Sequence, residues 1–221
     1  MRRASFSIAS ALVLASASTA LSAQEFEGVM KFTVQKQGQD APDSITQFTK
    51  GSKMRLEIAG QPGALVSDGS KWFTIFPDVK RYVVIPAVDV ASAGDEMGRR
   101  NGKAVNTGKT SVIAGTKCEL WHFSGTGEDG NAEAGEACLA KGAGFMVGRM
   151  TVNNMGRHMN AAGVAYEQAR ATGSGILGAT INGKSVLQTV ELKATPQPDA
   201  LFAIPAGYTA TTMRELFKFK Q

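Results

Sequence analysis

Phe26-Glu27-Gly28-Val29-Met30-Lys31-Phe32-Thr33-Val34 alternates: the even positions Phe26, Met30, Phe32 and Val34 are apolar, and the odd positions Glu27, Lys31 and Thr33 are mostly polar. Successive side chains of a strand point to opposite faces, so this period reads as a half-buried strand with one wet face. The pattern returns in Lys53 to Ile58, where Met54, Leu56 and Ile58 oppose Lys53, Arg55 and Glu57. Between them lie a turn region at Gly38 to Asp43, a strand at Ile45 to Thr49, and a turn at Gly51-Ser52. Further on, Leu65-Val66, Lys71 to Phe76 and Arg81 to Ile85 read as strands, separated by Asp68-Gly69 and Pro77-Asp78 and stopped by Pro86. Short strands at this spacing predict an antiparallel meander.

The second half continues it less regularly. Val88 to Arg99 is expected as a short helix and Arg99 to Gly108 as a polar loop. Strands are expected at Thr110 to Ile113, Thr116 to Phe123 and Glu136 to Ala140, around an acidic, Gly-rich loop at Gly125 to Gly135. Phe145 to Ala171 is the least strand-like segment and is expected to form one or two helices, which Gly148, Gly156 and Gly163 weaken. Asn182-Gly183 predicts a hairpin between Ile176 to Ile181 and Ser185 to Lys193. Pro196 to Asp199 forms a turn before Leu201 and Phe202, and Thr212 to Phe219 is expected as a helix or strand. The fold class is therefore mainly β with a few helices (α+β).

Upstream of the first strand, Arg2-Arg3 precedes an uncharged run from Ala4 to Gln24 that is rich in Ala, Ser, Leu and Val. It is too short and too small-residue-rich to span a bilayer, and Ser18 to Ala23 suits signal peptidase. Residues 1–23 are expected to be a cleaved signal peptide, with a cut after Ala20 as the competitor, and 24–221 a single domain. This makes the protein periplasmic or secreted, with no transmembrane segment in the mature chain. Cys118 and Cys138 then read as one disulfide, as an even pair does in an oxidising compartment. The chain carries 24 basic and 19 acidic residues, two of the basic ones in the leader. The surplus is mild and scattered, which argues against a nucleic-acid partner.

Catalytic motifs are poor. Gly173-x-Gly175-x-x-Gly178 spells a dinucleotide fingerprint but precedes a strand instead of a helix. Gly108-Lys109-Thr110 resembles the end of a phosphate-binding loop, yet Lys103 stands where its first glycine belongs. A hydrolytic triad needs a His to take a proton from Ser or Cys, and His122 and His158 are the two histidines of the sequence. His122 alternates with Cys118 and Leu120 and is expected to be packed or at a pocket wall; His158 is expected to be exposed. Glu128, Asp129, Glu133 and Glu136 do not match calcium-ligand spacing. Met146, Met150, Met155, His158 and Met159 offer soft ligands for Cu(I), although methionine at helical spacing more often fills a core.

The order of several short runs resembles a family. They are Phe26-Glu27-Gly28, Thr49-Lys50-Gly51-Ser52-Lys53-Met54-Arg55-Leu56-Glu57, Asp68-Gly69 before an aromatic strand, Ile113-Ala114-Gly115-x-x-Cys118-x-Leu120, and Phe202-Ala203-Ile204-Pro205-Ala206-Gly207-Tyr208. Together they are similar to the bacterial exported family of unknown function numbered 4412, which in turn resembles the lipoprotein-carrier (Lol-type) half-barrel superfamily. That resemblance implies a curved antiparallel half-barrel with helices covering the concave face, and a carrier that binds acyl chains there without catalysis. The expected lining is Met30, Phe32, Met54, Leu56, Trp72, Phe76, Met146 and Met150. The leading expectation is thus a non-enzymatic binding or carrier-like protein for an apolar or amphipathic ligand or a lipoprotein-like partner, with no cofactor, no metal and no catalytic residues. A Cu(I)-handling protein using the Met/His cluster, and an enzyme with an unrecognised site, are the alternatives.

Overall fold

The structure is a computed structural model that describes residues 26–35, 39–86, 102–126, 130–141 and 160–218. The expected signal peptide, the expected helix at Val88 to Arg99, and Met146, Met150, Met155, His158 and Met159 lie outside the described residues, as do Glu128 and Asp129.

Among the described residues, twelve strands form one open, curved sheet. The first six are β1 (Glu27–Val34), β2 (Asp43–Lys50), β3 (Lys53–Ile58), β4 (Ala64–Ser67), β5 (Trp72–Phe76) and β6 (Arg81–Ile85). Five long strands follow: β7 (Gly102–Ile113), β8 (Thr116–Thr126), β9 (Ala132–Lys141), β10 (Ser174–Ile181) and β11 (Lys184–Ala194). The short β12 (Thr209–Ala210) completes the set, with helices α1 (Asn160–Ala171) and α2 (Met213–Lys218). The spatial order is β12-β6-β5-β4-β3-β2-β1-β11-β10-β9-β8-β7. Every pairing is antiparallel except that of β12 with β6. Two meanders, β1 to β6 and β7 to β11, therefore meet along β1 and β11.

The period-two reading places β3 and β6 with the boundaries expected. The Asn182-Gly183 hairpin also forms, with φ of 48° and 77°, the left-handed pair that a two-residue turn between twisted strands requires. The end of the chain resolves as a helix, not a strand. Thr212 Oγ1 accepts from the Glu215 amide at 3.3 Å while the Thr212 amide donates to Glu215 Oε2 at 3.0 Å, a reciprocal cap that nucleates α2.

Two segments read as loops are strand. Arg99 to Gly108 was expected to be a polar loop, but β7 begins at Gly102, and much of the Gly125 to Gly135 loop belongs to β8 and β9. β7 is an edge strand, exposed along most of its length, so no hydrophobic alternation marks it; its conformation comes from pairing with β8. A bulge at Thr107 to Lys109 interrupts that pairing, and Asn106 Oδ1 accepts from the Gly108 amide at 2.8 Å to hold it.

Register divides the side chains between two faces. The front face carries Met30, Phe32 and Val34 from β1, Ile45 from β2, Met54 and Leu56 from β3, Leu187 from β11, Ala137 and Leu139 from β9, and Phe123 from β8. All are buried in one cluster with Ala165, Tyr166 and Ala169 of α1, which packs on β7 to β10. On the back face Cys118 and Cys138 form the expected disulfide between β8 and β9, with Cα atoms 5.3 Å apart. A second back-face cluster joins Ala64, Val66, Phe73 and Ile75 to Phe202. The cover here is the extended C-terminal segment with a 3-10 turn at Asp199–Phe202, not a helix.

Candidate functional site

Five strands set the front face of β1 to β5 in rows that run across the sheet. One row is Leu192, Met30, Gln47, Leu56, Leu65 and Thr74. The next is Ala194, Gly28, Thr49, Met54, Ser67 and Trp72. A third places Thr189, Phe32, Ile45 and Ile58 side by side. Met30, Phe32, Met54 and Leu56 are thus neighbours and are at most 6% exposed. Trp72 is half-buried at the end of the second row, and Phe76 shares its face but sits apart, near Gly63. The structure brings the first five together and leaves Phe76 at the margin.

Sequence reasoning missed that this apolar field holds polar side chains. Gln47, Thr49, Ser67 and Thr189 are all buried within it. Gln47 Nε2 donates to Thr49 Oγ1 at 3.0 Å, Ser67 Oγ accepts from the Gly69 amide at 3.3 Å, and the Thr189 hydroxyl reaches Met30 Sδ at 3.8 Å. Gln47 Oε1 has no hydrogen-bond partner among the described residues, although Gln47 is 0% exposed. An unpaired buried carbonyl of this kind costs about 1–3 kcal/mol of desolvation. Ile45, Gln47 and Thr49 alternate against Ser44, Thr46 and Phe48, and each set holds one large apolar residue. Pattern alone could not say which set faces inward.

The turn that closes β4 and β5 beside Ser67 and Trp72 is rigid. Asp68 Oδ1 accepts from the Ser70 hydroxyl at 2.7 Å and from the Ser70 and Lys71 amides at 2.8 and 2.9 Å. These bonds hold the Asp68 carboxyl below its usual range, the Ser70 hydroxyl contributing most.

The back face is clamped by charge. Asp199 accepts from Lys53 at 2.7 Å and pairs with Lys50 at 3.3 Å, and the Lys53 and Lys50 ammonium groups keep its carboxyl below the ordinary value. Glu27 Oε1 accepts from the Gln197 amide at 2.6 Å, and Arg55 Nη1 donates to the Leu201 carbonyl at 3.3 Å. A groove of about 650 Å³ opens nearby between Ser44, Thr46, Arg55, Glu57 and the Gly60 to Gly63 turn. It lies on the opposite face from the apolar field, and its charged pair is already satisfied, Arg55 to Glu57 at 2.7 Å.

His122, expected to be packed or at a pocket wall, is instead exposed on the back face of β8, opposite Glu136 of β9. No group of three His, Cys, Asp or Glu side chains able to hold a metal occurs among the described residues. Likewise, no helix among them is long and apolar enough to cross a membrane.

The sequence matches the profile of the family described as Domain of unknown function (DUF4412) over residues 26–208, from the start of β1 almost to β12. The chain belongs to the DUF4412 family. No curated protein matches it. Two solved structures of PNGF-II, in the C2 and P21 space groups, are similar to this DUF4412 member at 12% and 11% identity, with TM-scores of 0.45 and 0.48. The match covers 87% of this chain and 32% of each PNGF-II chain, so the DUF4412 member spans about a third of their length. A likeness this weak says nothing of what the DUF4412 protein does.

Proposed function

We propose that this protein is an exported, non-enzymatic binding or carrier-like protein. Its front face receives an apolar or amphipathic ligand, or an apolar segment of a lipoprotein-like partner. The observation that carries the reading is the field of Met30 and Phe32 on β1 and Met54 and Leu56 on β3, on either side of β2, with Trp72 at its rim and a few buried polar groups within it. Ligand sites of small amphiphiles have this composition: mostly apolar walls and a small number of polar atoms that fix orientation. Methionine adds adaptable surface.

The half-barrel arrangement of the lipoprotein carriers accounts for how such a ligand would enter. The field is closed in the present structure, so entry requires a cover to move. Of the described elements, α1 packs beside the field, over β7 to β10, and its buried positions Gly163, Ala165 and Ala169 are small, which suits it to shift. The buried Cys118–Cys138 disulfide supports an oxidising compartment outside the cytoplasm.

Native mass spectrometry of protein purified from the periplasm, without reductant, tests the proposal. A co-purifying mass that is removed by organic extraction is the expected result. A protein that stays free of added mass after incubation with phospholipid, fatty acid and acylated peptide would overturn it.

A further inference from the structure

We propose that the front-face site selects amphiphiles whose head group donates a hydrogen bond, and that Gln47 Oε1 is the acceptor that reads it. The inference rests on the reading of the front face as a ligand site. Gln47 sits between Met30 and Leu56 across the strands and between Ile45 and Thr49 along its own, so its amide lies in the middle of the apolar field. It is 0% exposed, and its oxygen alone among buried side-chain N and O atoms of the described residues lacks a partner.

Nε2 faces Thr49 Oγ1 at 3.0 Å, and Oε1 on the other side of the amide has no partner among the described residues. No neighbouring polar group among them reaches that oxygen: Thr189 is turned to Met30 Sδ, and Ser67 Oγ accepts from the Gly69 amide. An amphiphile that brings a hydroxyl, an amide N–H or an ammonium supplies the donor that Oε1 lacks. A head group that only accepts would meet an unpaired oxygen. Sites built to hydrogen-bond a donor discriminate strongly against analogues without it, because the buried partner is then left unpaired.

The test compares decanol with decyl methyl ether by isothermal titration calorimetry, on the wild-type protein and on Gln47→Leu. The two probes share the apolar chain and differ in the hydroxyl proton. Wild type is expected to bind decanol about tenfold more tightly than the ether, and Gln47→Leu to bind both within about twofold of each other. Equal binding of the two probes by wild type overturns the role of Gln47 and leaves the apolar-ligand reading standing. Failure of wild type to bind either probe overturns both. A preference for decanol that survives in Gln47→Leu places the acceptor elsewhere and also overturns the inference. If Gln47→Leu does not fold, Gln47→Met takes its place in the same comparison.

Discussion

Opening the Cys118–Cys138 bridge should cost the protein about 3 kcal/mol. The two cysteines are 20 residues apart, and the chain-entropy relation for a loop of that size gives about 11 cal/mol/K of denatured-state entropy, or about 3 kcal/mol near room temperature. Both sulfurs are buried on the back face, so reduction in place keeps their packing and isolates the cross-link, whereas a Cys118→Ala/Cys138→Ala double variant also removes their contacts. For a domain of this size about 3 kcal/mol corresponds to a fall of about 6–12 °C in Tm. The assay is urea unfolding followed by circular dichroism, oxidised against reduced. The midpoint should fall, and m should rise because the reduced chain unfolds to a less compact ensemble. A loss below about 1 kcal/mol at unchanged m would refute the reasoning. It would mean that the β8–β9 hairpin, in register from Glu119–Leu139 to Thr126–Ala132, persists in the unfolded chain and already closes the loop.

Three further outcomes are expected. Phe202→Ala should destabilise by about 3–5 kcal/mol in urea unfolding, because Phe202 is fully enclosed by the back-face cluster; a loss under about 1 kcal/mol would show that the C-terminal segment is not its cover. Gly135→Ala should cost about 1–3 kcal/mol, since a Cβ there runs into the Thr180 carbonyl oxygen of β10 and lies 2.7 Å from Phe123 Cζ; an unchanged midpoint would mean that β9 and β10 can move apart at that point. Glu191 accepts from Lys193 at 2.5 Å and Lys31 at 2.8 Å, which hold its carboxyl down to about 2 from an ordinary 4.5. A depressed carboxylate contributes stability that is complete above about pH 4.5 and drains away as the pH falls towards 2. Lys193→Met should therefore raise the Glu191 carboxyl pKa in a carbon-13 NMR titration, and an unmoved value would remove Lys193 as the cause.

Much of the sheet was legible because one wet face makes alternation visible. In β3, Met54 and Leu56 are buried and Lys53 and Arg55 are not, so the sequence states the strand and its facing together. The expected lining residues Met30, Phe32, Met54, Leu56 and Trp72 consequently fall on one face. β5 defeats the same logic. Trp72-Phe73-Thr74-Ile75-Phe76 is apolar on both sides, and the more deeply buried pair is Phe73 and Ile75, facing Phe202 from far along the chain. Which face is covered is a long-range fact that no local pattern contains. Gln47 was invisible for the opposite reason, since a polar residue in mid-strand reads as solvent-facing until its cross-strand neighbours are known to be Met30 and Leu56. His122 misled because alternation with a buried cysteine does not say how far along the strand the cover extends.

The seam between β1 and β11 has a consequence for the order of assembly. Followed through space from β7, the sheet is an uninterrupted up-and-down ribbon, β7-β8-β9-β10-β11-β1-β2-β3-β4-β5-β6, yet the polypeptide begins in its middle. The hairpins of β1 to β6, of β7 to β9 and of β10 and β11 can zip locally, but Gly28 must find Ala194, and Thr195 must donate to the Glu27 carbonyl, across nearly the whole chain. Closing such distant contacts is the slow part of folding. Until Leu187 has emerged and docked, β1 is an open edge with Met30, Phe32 and Val34 along one side, the kind of template that recruits strands from other chains. A permuted chain that starts at β7 and joins β11 to β1 by a short turn would turn that seam into one more hairpin, but it would have to carry the Phe202 segment and β12 after β6 to keep the back-face cluster covered.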